Sequence, residues 1–376
     1  MTTSLEAWLP RQRWFAGKGR PITSVTVRRS TPLADGLTHQ LIEVRQDDET
    51  SLYQHLDGDG FPAFLLSACA AGADLGGLRF RSLEPLDPGL PARPLGAEQS
   101  NTSFVYGRSA IGKVFRLLTP GLNPDLELTR ALTGRGQVAR LHGWFETDID
   151  GVTTTLGMVS EFLADGVDGW KLATATGNFR AHAHALGAAT ARVHKDLAAV
   201  FGVARIPAPA VQALARTMTT RLDAACSEVP RLAPHRARIA EAFADLASHG
   251  PMPAQRIHGD YHLGQVMSTP DGWRLLDFEG EPSKPLEERR APAHPLRDVA
   301  GMLRSFDYAA HFGHTPSWSD PHRSAFCSGY AEAGGPDPSV HPVPLRAFVY
   351  DKAVYEVVYE ARNRPHWLPI PLSTFE

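Results

Sequence analysis

The sequence is poor in cysteine and has no long apolar run. Of its 376 residues, three are cysteine, and they lie far apart at Cys69, Cys226 and Cys327. An odd number of widely spaced cysteines argues against a disulfide framework and a zinc site, and it is typical of a reducing compartment. No stretch has the apolar length of a bilayer span, and the first residues lack the basic flank and apolar run of a signal peptide. We therefore expect a soluble cytoplasmic protein.

A strong excess of one charge is also absent. The 38 basic and 41 acidic side chains leave a formal net charge of -3, and no basic block stands out. We therefore expect no nucleic acid partner, and the lack of an apolar span argues against a membrane partner. Hydrophobic residues make up 43% and charged residues 21% of the chain, an ordinary globular balance. A length of 376 residues exceeds a typical single core, so we expect two or three packed parts.

A proline-rich segment marks the first internal boundary. Residues 83–96 contain four prolines and indicate a linker. The chain before it is predicted to form a separate unit, residues 1–90. Within this unit we expect a short helix at 5–14 and two alternating, half-buried strands at 25–29 and 40–45.

Beyond the linker, a strand-rich part precedes a helix-rich part. Two strand-like runs around a Gly-Arg-Ser turn predict a hairpin at 101–115. A helix is predicted to begin at Asn123, where a proline follows and acids occupy the first turn. Further strands are expected at 138–144, 153–162, 255–258 and 273–278, and helices at 181–197, 210–226, 234–248, 296–310, 324–333 and 344–362. This order is that of a bilobal kinase, although the pattern alone also fits other α+β proteins.

The most informative motif is His-Gly-Asp-Tyr-His-Leu-Gly-Gln at 258–265, which is followed by Asp-Phe-Glu-Gly at 277–280. Asp260 is the candidate base, since a carboxylate can take the proton of a hydroxyl during phosphoryl transfer. Alone, it would also fit an ordinary Asx turn. Gln265 and Asp277 are candidate Mg²⁺ ligands, because magnesium prefers hard oxygen donors. The combination predicts phosphoryl transfer from ATP.

Three neighbours of these acids have more than one interpretation. Glu279 would bind a second metal ion, directly or through water, or be a solvated loop acid. His258 and His262 suggest a metal pair, but a histidine here more often orients the loop by hydrogen bonding. No third soft ligand is in sight, so we do not predict a zinc site.

Candidate ATP contacts precede the motif along the chain. Lys113 lies in an apolar strand, so its ammonium needs a partner, and ATP phosphates and Glu127 on the next helix are the natural ones. The alternative is a lysine on a solvated strand face.

Instead of a glycine-rich loop, a run of small polar residues precedes this lysine. Such a run covers phosphates with backbone amides and hydroxyls, or it is a plain turn. The residues assigned to this phosphate cover are Gln99, Ser100, Asn101, Thr102 and Ser103. By position alone, the backbone of Glu161 and Leu163 is expected to pair with the adenine edge.

Together these motifs resemble those of the actinobacterial maltokinases and glucosamine kinases, in the aminoglycoside-phosphotransferase-like branch of the protein-kinase fold. The likeness covers nearly the whole chain, through segments 11–17, 98–103, 113–116, 123–127, 168–170, 258–265, 277–282, 296–306, 351–362 and 367–372. It implies an α+β, bilobal protein-kinase-like fold with an N-terminal cap. The expected parts are a cap subdomain at 1–90, an ATP-binding N-lobe at 91–163, and a helical C-lobe with the catalytic and sugar-binding sites at 164–376.

The resemblance also implies ATP and Mg²⁺ as cofactors, with Asp260 as the base and Gln265 and Asp277 as metal ligands. The wider branch usually has asparagine where Gln265 stands, and glutamine offers the same donor oxygen on a longer arm. It usually has Asp-x-Asp or Asp-Phe-Gly where Asp277-Phe-Glu stands, which leaves the role of Glu279 open.

The acceptor is expected to be a small sugar. The stretch 168–182 is compact where maltokinases carry a longer insertion, which favours glucosamine, phosphorylated to glucosamine 6-phosphate. Maltose, phosphorylated to maltose 1-phosphate, is the alternative. A cationic sugar needs carboxylates near its ammonium, and four acids are available for this purpose. The residues assigned to the acceptor are Asp168, Trp170, His262, Asp298, Tyr355, Glu356 and Glu360, of which the four acids are the proposed amine partners.

Two other classes of protein were weighed. A catalytically silent pseudokinase would be expected to have lost an acid or the lysine, whereas every part of the site is present here. An aminoglycoside-resistance kinase is disfavoured by the segments 11–17 and 355–362. The sequence does not predict an oligomeric state.

Overall fold

The structure, a computed structural model, describes residues 4–96, 100–282 and 284–376. The chain divides into two units. The first contains residues up to 134 together with 139–164, and the second contains 135–138 and 165–376. Within the described ranges, none of the helices combines the length and the apolar character that a membrane crossing requires.

The first unit is built on two antiparallel sheets. Its strands are β1 (Ser24–Ala34), β2 (Leu37–Gln46), β3 (Glu49–Asp57), β4 (Asp74–Leu75), β5 (Leu78–Ser82), β6 (Ala92–Pro94), β7 (Asn101–Tyr106), β8 (Ala110–Phe115), β9 (Leu117–Leu118), β10 (Leu141–Ile149) and β11 (Val152–Glu161). The four-stranded sheet has the order β1-β2-β3-β9, and the seven-stranded sheet has the order β4-β5-β10-β11-β8-β7-β6. The helices are α1 (Leu5–Trp8), α2 (Phe61–Ala71) and α3 (Pro124–Leu132).

Apolar faces of the seven-stranded sheet and of α2 meet in the core of this unit. Phe80 and Phe145 stack with ring centroids 5.5 Å apart, and Phe61 of α2 lies 5.8 Å from Phe145. All three side chains are buried. Burying such rings on one face of the sheet stabilises the unit and favours the strand register that keeps them inside.

Helix α3 begins where the sequence predicted. The Asn123 side chain accepts a hydrogen bond from the Asp125 amide at 2.8 Å, and Pro124 occupies the first helical position. Both features stabilise a helix N-terminus, and so does the negative charge of Asp125 in the first turn. The predicted hairpin is confirmed as β7 and β8.

Strands from both sides of residue 90 share these sheets. Strand β5 pairs with β10, and β3 pairs with β9. The predicted linker at 83–96 contains β6, which pairs with β7. The division of this unit into a cap at 1–90 and an N-lobe at 91–163 stays a prediction.

The second unit is mostly helical. Its helices are α4 (Gly169–Ala175), α5 (Arg180–Phe201), α6 (Ala208–Glu228), α7 (Arg236–Ser248), α8 (Leu286–Arg290), α9 (Leu296–Gly313), α10 (Ser319–Glu332), α11 (Pro342–Asn363) and α12 (Pro369–Leu372). Its strands are β12 (Val167–Asp168), β13 (Ala204–Ile206), β14 (Met252–Ala254), β15 (Val266–Thr269) and β16 (Gly272–Leu275). They form the small sheets β12-β15-β16 and β13-β14. Two of the long helices, α9 and α11, contact the loop of the predicted catalytic motif through Asp298 and Lys352.

Two predicted elements differ from the structure. The predicted helix at 5–14 is limited to α1 and a 3₁₀ turn at Leu9–Arg11. The predicted strand at 255–258 is wrong, because strand β14 ends at Ala254 and Gln255 makes only an isolated bridge with Ala293.

Candidate active site

The catalytic motif begins as a loop that is held by a buried carboxylate. Asp298 of α9 accepts hydrogen bonds from the backbone amides of His258 at 2.7 Å and Gly259 at 2.9 Å. Its carboxylate also bonds the His194 ring nitrogen at 3.0 Å. Burial alone would raise the pKa of Asp298, but His194, His258 and the Gly259 amide lower that pKa below its usual value. Asp298 therefore positions the part of the loop that immediately precedes Asp260.

Asp260 faces a lysine that the sequence analysis did not assign. The ammonium of Lys352, on α11, lies 3.3 Å from Asp260 Oδ1 and 3.7 Å from Glu281 Oε1. Burial lowers the pKa of such an ammonium, but the carboxylates of Asp260, Glu281 and Glu356 raise the pKa of Lys352 above its usual value. Lys352 and Glu281 lie in two of the segments that resemble the kinase family. This resemblance was the signal in the sequence that could have identified them as residues of the site.

Beside this cluster lies a cavity of about 70 Å³. The second unit supplies its lining, and the residues that face it include Gly259, Tyr261, Glu281, Arg297, Lys352 and Tyr355. Such a volume accommodates a few water molecules rather than a hexose.

The two predicted metal ligands of this unit lie side by side. The Gln265 amide nitrogen donates to Asp277 Oδ2 at 3.1 Å. Asp277 and Glu279 each offer a carboxylate oxygen, and these oxygens lie within 4.8 Å of one another. One amide and two carboxylates are a hard-oxygen donor set, which fits Mg²⁺.

The backbone around these acids is strained and tightly packed. Asp277 has a φ of 61°, which few residues other than glycine and asparagine or aspartate adopt. Gly259 has a φ of 88°, and a Cβ at that position would lie 3.3 Å from the Cα of Gly280. The loop that carries Asp260 and the loop that carries Asp277 therefore touch through glycine backbone.

The two histidines of the motif hold the loop by hydrogen bonds. His258 Nε2 bonds the carbonyl of Leu276 at 2.8 Å, and His262 accepts the Gly264 amide at 3.1 Å. Burial lowers the pKa of His262, although Asp260 opposes this effect. A contact of His262 with the acceptor stays a prediction.

The other acids that were assigned to the acceptor's amine have partners within the protein. Asp168 caps α4 by accepting the Lys171 amide at 2.8 Å. Glu356 accepts from Arg304 at 2.8 Å, and Glu360 accepts from Arg364 at 2.8 Å. Glu360 is 1% exposed, so it is reached only if the structure opens. These contacts give each acid a structural role, and their pairing with an ammonium stays a prediction.

Two aromatic residues were also assigned to the acceptor. Tyr355 is half exposed and lies one helical turn after Lys352, whose ammonium is 5.4 Å from its ring centroid. Trp170 of α4 contacts Phe312 of α9, with ring centroids 5.8 Å apart. Tyr355 thus adjoins the Asp260 cluster, whereas Trp170 packs against a different helix.

In the first unit, Lys113 of β8 forms a salt bridge with an acid of α3. Its ammonium lies 3.0 Å from Asp125 Oδ2, and the Asp125 side chain is only 6% exposed. The sequence analysis named Glu127, which lies in the first turn of the same helix as Asp125. Its role stays a prediction, and Asp125 is the partner that the sequence analysis missed.

The residues assigned to the phosphate cover differ in their surroundings. Gln99 lies outside the described residues, and Ser100 is exposed. Asn101 begins β7, and Thr102 accepts a hydrogen bond from Arg116 Nε at 2.8 Å. The buried Ser103 hydroxyl has no hydrogen-bond partner among the described residues, and Ser103 lies opposite Lys113 in the β7–β8 register.

The residues assigned to adenine lie at the end of β11. The Glu161 amide donates to the carbonyl of Arg140 at 2.8 Å. The amide and carbonyl of Leu163, in contrast, make no backbone hydrogen bond within the described part of the chain. Leu163 therefore keeps both backbone groups that recognition of a base edge requires.

Two family descriptions match this chain. The maltokinase N-terminal cap domain matches residues 8–56. The phosphotransferase enzyme family matches residues 91–337, which is more than half of the chain.

Two relatives of this chain are described as glucosamine kinases. The chain is 30% identical to a glucosamine kinase of Mycolicibacterium smegmatis over 316 residues, which cover 74% of this chain and 77% of the relative. It is 29% identical to a glucosamine kinase of Streptacidiphilus jiangxiensis over 356 residues, which cover 84% and 80% of the two chains.

A solved structure shares the fold. A glucosamine kinase in complex with glucosamine, ADP and inorganic phosphate aligns with a TM-score of 0.75 at 23% identity, and the alignment covers 100% of this chain and 99% of the other. At this identity the likeness shows the fold alone. With the two family descriptions it confirms the predicted α+β fold class with an N-terminal cap.

Proposed function

Because the chain belongs to the capped maltokinase and glucosamine kinase group of the phosphotransferase enzyme family, we propose that it is a glucosamine kinase. Membership of the family makes it an ATP-dependent phosphotransferase that acts on an alcohol group of a small sugar. The reaction that we propose converts glucosamine and ATP to glucosamine 6-phosphate and ADP.

The observation that carries this proposal is the arrangement around Asp260. A loop fixed by Asp298 presents the Asp260 carboxylate, and the adjoining loop presents Asp277 in contact with Gln265. Phosphoryl transfer requires a base for the acceptor hydroxyl and, close to it, oxygen ligands for a metal ion.

In the proposed reaction, Asp260 accepts a hydrogen bond from the acceptor hydroxyl and orients its oxygen toward the γ-phosphorus. As the new oxygen–phosphorus bond forms, the bond between the γ-phosphorus and the bridging oxygen breaks and ADP leaves. Asp260 takes the hydroxyl proton. A positioned base of this kind contributes roughly 10²- to 10⁴-fold to the rate.

Gln265 and Asp277, with Glu279 as a third donor, would hold Mg²⁺. The ion would supply positive charge that offsets the charge of the phosphate oxygens. The chain's own part is to keep these donors together, through the Gln265–Asp277 hydrogen bond and the strained backbone at Asp277.

We assign Lys113 to the ATP phosphates and Leu163 to the adenine edge. The salt bridge to Asp125 supports the first role, because it holds the Lys113 ammonium in one position. The lack of a backbone hydrogen bond at Leu163 within the described residues supports the second role.

A panel of sugars tests the proposal directly. Purified full-length protein is incubated with ATP and Mg²⁺ and with glucosamine, maltose, glucose, N-acetylglucosamine or no sugar, and ADP formation is followed. We expect glucosamine to give the highest kcat/KM and Asp260→Asn to lower the sugar-dependent rate by about 10²- to 10⁴-fold. A preference for maltose would replace glucosamine by the alternative acceptor, and no sugar-dependent ADP formation would contradict the proposed function.

A further inference from the structure

Lys352 joins the two loops of the candidate active site. It lies in the middle of α11, and its ammonium is 3.3 Å from Asp260 Oδ1 and 3.7 Å from Glu281 Oε1. Asp260 belongs to the loop after Ile257, and Glu281 follows the Asp277 loop. One side chain on a long helix therefore contacts an acid from each loop.

The surroundings leave this lysine little freedom. Its side chain is 24% exposed, and those of Asp260 and Glu281 are 26% and 23% exposed. Glu281 also pairs with Lys284 at 2.5 Å, and Glu356, one turn further along α11, pairs with Arg304. Glu281 thus has a second cation beside it, and Glu356 is paired with Arg304. Among the described residues, Lys352 is the cation within salt-bridge distance of Asp260.

In the part of the chain that the structure describes, the Lys352 ammonium is the hydrogen-bond partner of the Asp260 carboxylate. The loop around it is anchored through its backbone by Asp298, but those hydrogen bonds end at Gly259. The side-chain direction at residue 260 is therefore set mainly by the Lys352 ammonium. A base must lie within hydrogen-bond reach of the proton that it accepts, so this direction matters for catalysis.

We propose that Lys352 is a positioning residue that fixes the Asp260 carboxylate for proton transfer and ties it to the loop that carries Asp277. The proposal rests on the kinase function proposed above. Lys352 acts through Asp260, so its loss is expected to lower kcat while leaving nucleotide affinity near its normal value. A misplacement of about 1 Å in such a site costs about 100-fold in rate.

The test compares Lys352→Met, Lys352→Arg and a matched control, Lys195→Met, which removes an exposed lysine of α5. For each variant, kcat, KM for the sugar and the ADP dissociation constant are measured, with the thermal midpoint as a check on folding. We expect Lys352→Met to lose about 100-fold in kcat, and Lys352→Arg to recover most of this loss because it restores the positive charge. Lys195→Met should match the wild type.

A double-mutant cycle separates positioning from a general structural role. If Lys352 acts through Asp260, adding Lys352→Met to Asp260→Asn should change kcat less than about threefold, although it lowers the wild-type kcat about 100-fold. Losses that multiply in the double variant would overturn the proposal, and so would a folded Lys352→Met protein with near-normal kcat. A loss of ADP affinity without a loss of kcat would assign Lys352 to nucleotide binding instead and would also overturn it.

The proposed acceptor can be wrong while the role of Lys352 still holds. If the wild type ignores glucosamine but consumes another sugar of the panel, glucosamine is the wrong acceptor. The cycle is then run with the sugar that is consumed. If no sugar is consumed, the proton transfer that Lys352 is proposed to support does not occur, and both proposals are contradicted.

Discussion

At the residue scale, Asp298 holds the loop that carries Asp260, the proposed base. It is buried, and it receives hydrogen bonds from two consecutive backbone amides and from His194. Asp298→Asn would place an amide group opposite those donors, so a donor would be left without an acceptor. We expect a loss of roughly 2 to 4 kcal/mol in the free energy of unfolding, together with a lower kcat. Denaturant unfolding measures the first effect, and Asp320→Asn, at an exposed acid of α10, is the control.

The same variant has a defined dependence on pH. The folded-state pKa of Asp298 is lower than the pKa of the unfolded chain, so its contribution is complete above about pH 4 and is lost as pH falls through the folded-state value. The difference in stability between wild type and Asp298→Asn should therefore be constant near neutrality and should shrink below about pH 4. A difference that grows on acidification would contradict this assignment.

Lys113 is a second residue with a testable role. Its ammonium is held by the buried Asp125, and it is assigned to the phosphates of ATP. Lys113→Met removes a charge-assisted contact to phosphate, and we expect KM for ATP to rise at least about tenfold while KM for the sugar stays nearly constant. Steady-state kinetics with each substrate varied in turn measures both. Lys171→Met, at an exposed lysine of α4, is the control.

At this scale the sequence led to the prediction of a base and a metal site, which stays a prediction, whereas the partners of the acids within the protein could not be predicted. Carboxylates and amides in the motif indicated a base and a metal site. The acids pair with residues that are distant in the chain. Asp298, for example, pairs with His194, which lies 104 positions earlier. Lys352 and Asp260 are separated by 92 positions, so no local pattern joins them.

At the element scale, a buried arginine joins α9 to α11. Arg304 of α9 is 1% exposed and donates to Glu356 of α11 at 2.8 Å and to Asp307 at 2.7 Å. Arg304→Met would leave the Glu356 carboxylate without its paired cation and would leave Asp307 with Arg323 alone. We expect the free energy of unfolding to fall by roughly 3 to 5 kcal/mol, as measured by denaturant unfolding.

Arg323 provides the matched control for this prediction. It contacts the same Asp307, at 3.1 Å, but its side chain is 29% exposed. Arg323→Met should therefore cost less than about 1 kcal/mol. Equal losses in the two variants would contradict the account of Arg304 as the buried link between the helices.

The sequence pattern predicted correctly those elements whose caps and turns lie within the element's own residues. Helix α3 has its cap, its proline and its acids within five consecutive residues, and the β7–β8 hairpin has its turn between two apolar runs. The predicted strand at 255–258 failed because the amides of His258 and Gly259 donate to the Asp298 side chain instead of to a neighbouring strand. A side-chain acceptor supplied by a later helix leaves no trace in the local pattern.

At the scale of the whole molecule, two units contribute different parts of the proposed chemistry. The first carries Lys113 with Asp125, and the second carries Asp260, Gln265 and Asp277. The change from strand-rich to helix-rich sequence was visible in the chain. The sharing of both sheets by strands before and after residue 90 was not visible, because strand pairing between distant segments is set by tertiary packing.

The most direct measurement compares wild type with Asp260→Asn for the formation of glucosamine phosphate from ATP, with ADP affinity measured in parallel. The account predicts that the wild type forms the product and that the variant is slowed by about 10²- to 10⁴-fold with a nearly unchanged ADP dissociation constant. A folded Asp260→Asn protein that retains more than about a tenth of the wild-type rate would contradict the assignment of Asp260 as the base.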